Sequence, residues 1–202
     1  MISRRVLLGA PFAAALPGLA VAADGFSSPA AAIAAFYDVL LATMKQGPSL
    51  GFAGRRDRLA PAIRRVFDLP LMTRLMVGPQ WLGLTPRQQQ QLIAAFSDFS
   101  IAVYASRFDD YSGERFQVDP STNSAQNGVI VHTKLVKSDS EPVTLNYLVH
   151  DNGGAWQIVD VYLSGTVSEL ATRRSEFASV MRRGGADALV DVLQKKVAEL
   201  RG

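Results

Sequence analysis

The chain has 202 residues, with 21 basic and 18 acidic side chains, two histidines and no cysteine. Without cysteine there is no disulfide framework, no thiol nucleophile and no lipoprotein attachment site. The formal charge of +3 belongs to the whole precursor. No basic stripe interleaved with aromatics and no fixed-spacing nucleic-acid motif is present, so nucleic acid is excluded as a partner.

Residues 1–22 read as a signal peptide. Arg4 and Arg5 form a positive start, Val6 to Ala22 is uncharged, and Ala20-Val21-Ala22 offers small residues at cleavage spacing. Pro11, Pro17 and Gly18 interrupt the apolar run, which is shorter than the roughly 20 residues that a spanning helix needs. Ser3-Arg4-Arg5-Val6-Leu7-Leu8 resembles a twin-arginine export signal. Paired arginines also occur in general secretory signals, so both routes stay open. Cleavage after Ala22 leaves residues 23–202, with 19 basic and 18 acidic side chains and a charge of +1. That length fits one domain.

The mature part reads as helices, then strands, then helices. Ser28-Pro29 is an N-cap with proline at the first helical position, and Ile33, Phe36, Tyr37, Leu40, Leu41 and Met44 follow at helical spacing. Gly47-Pro48 predicts the end of that helix. Short helices are expected around Arg58 to Phe67 and after Asp68-Leu69-Pro70, with a break at Gly78-Pro79. Thr85-Pro86-Arg87-Gln88 is a capping box opening a long helix to about Phe108, whose stripe is Leu92, Phe96, Phe99, Val103 and Phe108.

Period-two patterning then predicts strands at Arg115–Val118, Gly128–Lys137, Val143–His150 and Ala155–Leu163. Asp119 to Ser124 reads as loop, and Asp151-Asn152-Gly153-Gly154 as a turn. Helical spacing returns after Gly165, with a break at Gly184-Gly185. The expected fold class is α+β: helical over 28–110, a curved antiparallel sheet over 114–164, and C-terminal helices over 167–200. A curved sheet wrapped by helices gives a cone like that of nuclear transport factors.

Catalytic parts are few. There is no G-x-S-x-G elbow, and His132 and His150 stand outside any metal-ligand spacing. Asp160 lies among Ile158, Val159, Val161 and Tyr162, and strict alternation would put it on one face with Ile158 and Tyr162. Two readings follow. Asp160 is the acid or base of a small isomerase or hydrolase, or it is structural and paired with Arg173, Arg174, Arg182 or Arg183. No cofactor and no metal is implied. The strand at 155–163 is apolar on both faces, so one face packs on helices while the other lines a core or a cavity.

Trp156-Gln157-Ile158-Val159-Asp160-Val161-Tyr162-Leu163, followed by Gly165, Ser168, Arg174, Phe177, Gly185 and Leu189, resembles the C-terminal signature of the MlaC/toluene-tolerance auxiliary proteins. Phe67-Asp68, Gly78, Trp81, Thr85-Pro86 and Phe96 to Tyr104 agree upstream. The chain departs from the usual G-V-S-L segment with Gly165-Thr166-Val167-Ser168-Glu169-Leu170, and Arg173 precedes Arg174 where the family has a tyrosine. That version is similar to the hopanoid-associated HpnM branch.

The resemblance implies a periplasmic monomer that holds lipid tails, of a hopanoid or a phospholipid, and exchanges them with an inner- or outer-membrane transport complex. Strand parity and position on the long helix, rather than the resemblance, make Tyr104, Phe108, Tyr147, Val149, Val161 and Leu163 the expected lipid-binding residues, with Ile158 and Tyr162 as the alternative face. Burying roughly 30 methylenes at about 0.8 kcal/mol each is a gross gain of about 24 kcal/mol, set against a bilayer that buries them equally well. An envelope adaptor that touches no cargo is the remaining alternative.

Overall fold

A computed structural model describes residues 25–137 and 140–201. The predicted leader lies outside the described residues. Helix α1 (Pro29–Met44) starts as its capping chemistry requires, the Ala31 N–H donating to Ser28 Oγ at 3.1 Å. Helix α2 (Gly47–Val66) follows almost at once, so Gly47-Pro48 opens a helix as well as closing one. Proline suits the first helical turn, where its missing N–H costs nothing. Gly47 packs so closely on the Asp109 backbone that a Cβ there would overlap its carbonyl. The helix kinks at Gly51, whose φ of 61° lies in the left-handed region.

Helix α3 (Leu69–Val77) is capped by the Asp68 carboxylate, which accepts from the Leu71 N–H at 2.9 Å. Gly78 ends it with φ 73°, and a single 3-10 stretch (Gly78–Gly83) leads to α4 (Pro86–Arg107). The expected capping box is present: Thr85 and Gln88 satisfy each other's backbone N–H groups.

Five strands form one antiparallel meander in the order β1 (Arg115–Ala125), β2 (Gly128–Val136), β3 (Val143–Asn152), β4 (Ala155–Leu163), β5 (Val167–Ser168). The sheet is curved and unclosed. β1 runs past Pro120 by shifting register between Val118 and Thr122, where the sequence reads as loop. Proline is tolerated there because the strand is at the edge and irregular. A second shift sits in β4: Val149 faces Ile158 and Leu148 faces Asp160, leaving Val159 as the extra residue. The bulge restarts the alternation. Ile158 therefore shares a face with Val161 and Leu163, while Asp160 and Tyr162 take the other side, which overturns the strict alternation expected for this strand.

Helix α5 (Glu169–Glu199) covers the remaining span and breaks at Gly185, φ 67°. It packs on α4 and α3, and α1 packs on β1 and β2. Phe36, Leu40, Leu59, Ile63, Leu92, Val131, Ile158 and Leu189 are among the fully buried side chains that join the helical layer to the sheet. No helix among the described residues is long and apolar enough to cross a membrane.

Candidate functional site

Between α4 and the inner face of the sheet lies an apolar cavity of about 240 Å³. That is somewhat below the roughly 300–1,000 Å³ typical of ligand pockets. Helical periodicity builds one wall: Phe96, Phe99, Val103, Tyr104 and Phe108 of α4 face inward, with Ile63, Phe67 and Met72 closing the far side. Strand register builds the other. Leu145 pairs with Leu163, Tyr147 with Val161 and Leu135 with Val143, so these six side chains meet on one face.

Aromatic packing fixes the wall. Tyr104 stacks on Phe108 at 5.6 Å and meets Phe36 and Phe67 edge-on at 5.3 and 5.6 Å. Such arrangements suit the ring quadrupoles and hold the cavity open in one shape.

Behind its wall a buried network of neutral hydroxyls holds Tyr147 in place. The Tyr37 hydroxyl lies 2.6 Å from Thr133 Oγ1 and 2.9 Å from the Tyr147 hydroxyl, and Thr133 donates to the Leu145 carbonyl. Burial pushes the Tyr37 phenol up to about 12, and burial likewise raises Tyr104 and Tyr147 well above the ordinary tyrosine value. A raised phenol pKa means that the folded state resists ionisation. The stability this contributes is complete below pH 10 and is lost as pH rises from 10 towards 12 and beyond. Alkaline titration should therefore show cooperative unfolding above about pH 10, at up to roughly 1.4 kcal/mol per pH unit for each withheld ionisation. Tyrosinate absorbance at 295 nm should rise for these phenols together with the loss of circular dichroism. Ionisation of all five tyrosines in a still-folded chain would contradict the buried network.

Charges sit at the rim. Arg173 is held by Glu169 at 3.3 Å and Glu176 at 2.8 Å, with its guanidinium 5.2 Å from the Phe99 ring centroid. Arg107, exposed at the end of α4, also borders the cavity.

The residues expected from sequence divide clearly. Tyr104, Phe108, Tyr147, Val161 and Leu163 line the cavity, and Val149 does not. Val149 lies on the same face but is fully buried in the core beyond the bulge. At that end the helical layer closes onto the sheet: Phe67 bridges to Ile158, and the Asp68 N–H donates to the Ile158 carbonyl at 2.9 Å. Ile158 is buried there too, and neither it nor Tyr162 reaches the cavity. The inward side chains of α2, α3 and the first half of α4 were not singled out from sequence. The stripe of Phe96, Phe99 and Val103 was visible, but a stripe facing a cavity has the same period as one facing a core.

Asp160 is buried and finds no arginine. Its carboxylate accepts from Ser168 Oγ at 2.6 Å and from the N–H groups of Val161 and Leu170 at 2.8 and 3.1 Å. The turn at Ser164-Gly165, with φ 50° and 80°, brings the start of α5 back onto β4. Unpaired backbone donors at a helix N-terminus then do what a guanidinium was expected to do. Arg173 goes to glutamates instead. His132 bonds Asn123 and Asn146, His150 bonds Asp68, and none of Asp160, His132 or His150 lines the cavity. No cluster of metal-ligating side chains occurs among the described residues.

These features define an α+β domain built around an apolar cavity with a charged rim. The profile of the MlaC protein family matches residues 35–195, and the chain belongs to that family. It is 25% identical over 104 residues to the toluene tolerance protein ttg2D of Pseudomonas putida, a stretch covering 51% of this chain and 47% of the relative. The matched region thus spans about half the length of that curated relative. A solved structure, the phospholipid-binding protein from Ralstonia solanacearum in complex with a phospholipid, superposes with a TM-score of 0.75 at 27% identity, covering 87% of this chain and all of the other.

Proposed function

We propose that this chain is a periplasmic carrier that holds the acyl tails of a phospholipid between α4 and the inner face of β2, β3 and β4. The observation that carries the reading is the apolar cavity, bounded by Tyr104, Phe108, Tyr147, Val161 and Leu163, in a member of the MlaC family. Likeness over 87% of the chain to a structure holding a phospholipid supports it. The part of a tail that enters such an apolar cavity is shielded from water much as it is in a bilayer, so transfer between the two costs far less than escape into water. Release then belongs to docking on a membrane transport complex, and no bond-making residue is needed. A hopanoid would use the same apolar wall, and the lipid recovered from the protein distinguishes the two. The isomerase or hydrolase reading has lost its carboxylate, because Asp160 is committed to the start of α5.

Site-specific photo-cross-linking tests where the lipid sits. With p-benzoyl-phenylalanine in place of Leu163, irradiation of protein in cells should attach lipid covalently. The same group in place of Lys134, on the exposed side of β2, should attach little. Equal labelling at both positions, or at neither, overturns the reading.

A further inference from the structure

The cavity is apolar, yet α4 and α5 each place one arginine at its rim. The hydrogen-bonding groups that border it can be accounted for one by one. Ser100 Oγ donates to the Phe96 carbonyl at 2.8 Å. The Tyr147 hydroxyl is bonded to those of Tyr37 and Tyr104, which accounts for the Tyr104 hydroxyl as well. Both terminal nitrogens of Arg173 are taken by carboxylates, Glu169 and Glu176. Arg107 alone among the cations bordering the cavity has no hydrogen-bond or ion-pair partner among the described residues. Glu169 and Glu176 compensate Arg173, so Arg107 is left as the cation at the rim with no carboxylate on it.

The position of Arg107 has an ordinary use as well. A cation in the last turn of α4 complements the helix dipole. That role needs no cavity nearby, and it leaves the guanidinium donors free. Arg107 follows Tyr104 by one turn on the same face of α4, so a tail packed on Tyr104 would bring its head group to this guanidinium.

We infer that Arg107 is a specificity-determining residue, which pairs with the phosphate of a lipid whose tail lies in the cavity and so favours phosphate-bearing lipids over uncharged lipids with the same tails. The inference rests on the carrier reading above and extends it to the head group. A guanidinium presents a planar fork that fits phosphate oxygens, and it stays charged at any physiological pH. Because the group is exposed, the pairing is screened by salt and its effect is modest. It biases the choice of cargo, while the apolar wall supplies retention.

The test uses lipid-stripped protein and phosphatidylcholine vesicles containing equal small amounts of dioleoyl phosphatidylglycerol and dioleoylglycerol, which share their tails. Native mass spectrometry reads the ratio of the two adducts. The wild-type ratio should favour phosphatidylglycerol by about two- to fivefold, the range that an exposed ion pair provides. Arg107→Gln should lower phosphatidylglycerol loading and bring the ratio close to one while dioleoylglycerol loading holds, Arg107→Lys should restore most of the preference, and added salt should reduce it in the wild type. Soluble glycerol phosphate should give no adduct of its own. The same ratio in wild type and Arg107→Gln overturns the head-group role and leaves the cavity as a tail site. Glycerol phosphate binding without a tail also overturns it, in favour of a plain anion site. Absence of any lipid adduct, phosphatidylcholine included, would instead remove the carrier reading beneath it.

Discussion

Replacing Asp160 by alanine should destabilise the fold by about 3 kcal/mol, the cost of leaving buried donors without a charged acceptor. The side chain is only 7% exposed and receives the Ser168 hydroxyl and the Leu170 N–H. Ser168 also caps α5 through the Ala171 N–H at 2.9 Å, so losing the carboxylate loosens the cap as well as the strand. For a chain of this size the melting temperature should fall by roughly 6–12 °C. Asp160→Asn keeps one acceptor oxygen and turns an amide towards groups that are already donors, so it should fall between alanine and wild type. Differential scanning calorimetry measures both. Bound lipid should decline along with folded protein. A variant that melts normally and keeps its lipid would show that Asp160 is not the tie between β4 and α5.

The course of the chain was legible wherever a period ran long enough. Ser28-Pro29 and Thr85-Pro86-Arg87-Gln88 marked helix starts through local capping chemistry, which depends on nothing distant. The strands over 128–136, 143–152 and 155–163 were legible as alternation between turn residues. Three features were not. Pro120 argued for a loop, but an edge strand can pass a proline by shifting register. The bulge at Val159 leaves no mark in the sequence, since an inserted apolar residue inside an apolar strand reads as one more core position. Apolar neighbours imply that Asp160 needs a partner, and it has one. Charge pointed to the nearby arginines, whereas the fold supplied a helix start, whose donors are backbone atoms invisible in a sequence.

The cavity was legible only in part, for a related reason. Parity selected Tyr147, Val161 and Leu163 as one face, and the register agrees. Where along that face the cavity ends depends on Phe67 reaching across to Ile158, a contact separated by some ninety residues. Val149 therefore belongs to the core, although its side chain points the same way.

Val161 faces the cavity from the middle of β4, opposite Tyr147, and is itself almost fully buried. An indole at that position would project into a space of about 240 Å³ and displace part of a tail. Excluding even two methylenes removes about 1.6 kcal/mol of burial, which corresponds to roughly a tenfold loss of occupancy when lipid is limiting. Overpacking costs the fold about 1–3 kcal/mol, which a domain of ordinary stability survives. Native mass spectrometry of wild-type and Val161→Trp protein, purified side by side from the same cells, measures the consequence directly. The wild type should carry a stoichiometric lipid adduct, and the folded variant about a tenth as much. A wild-type protein with no lipid, or a folded Val161→Trp protein carrying as much as the wild type, would contradict the account.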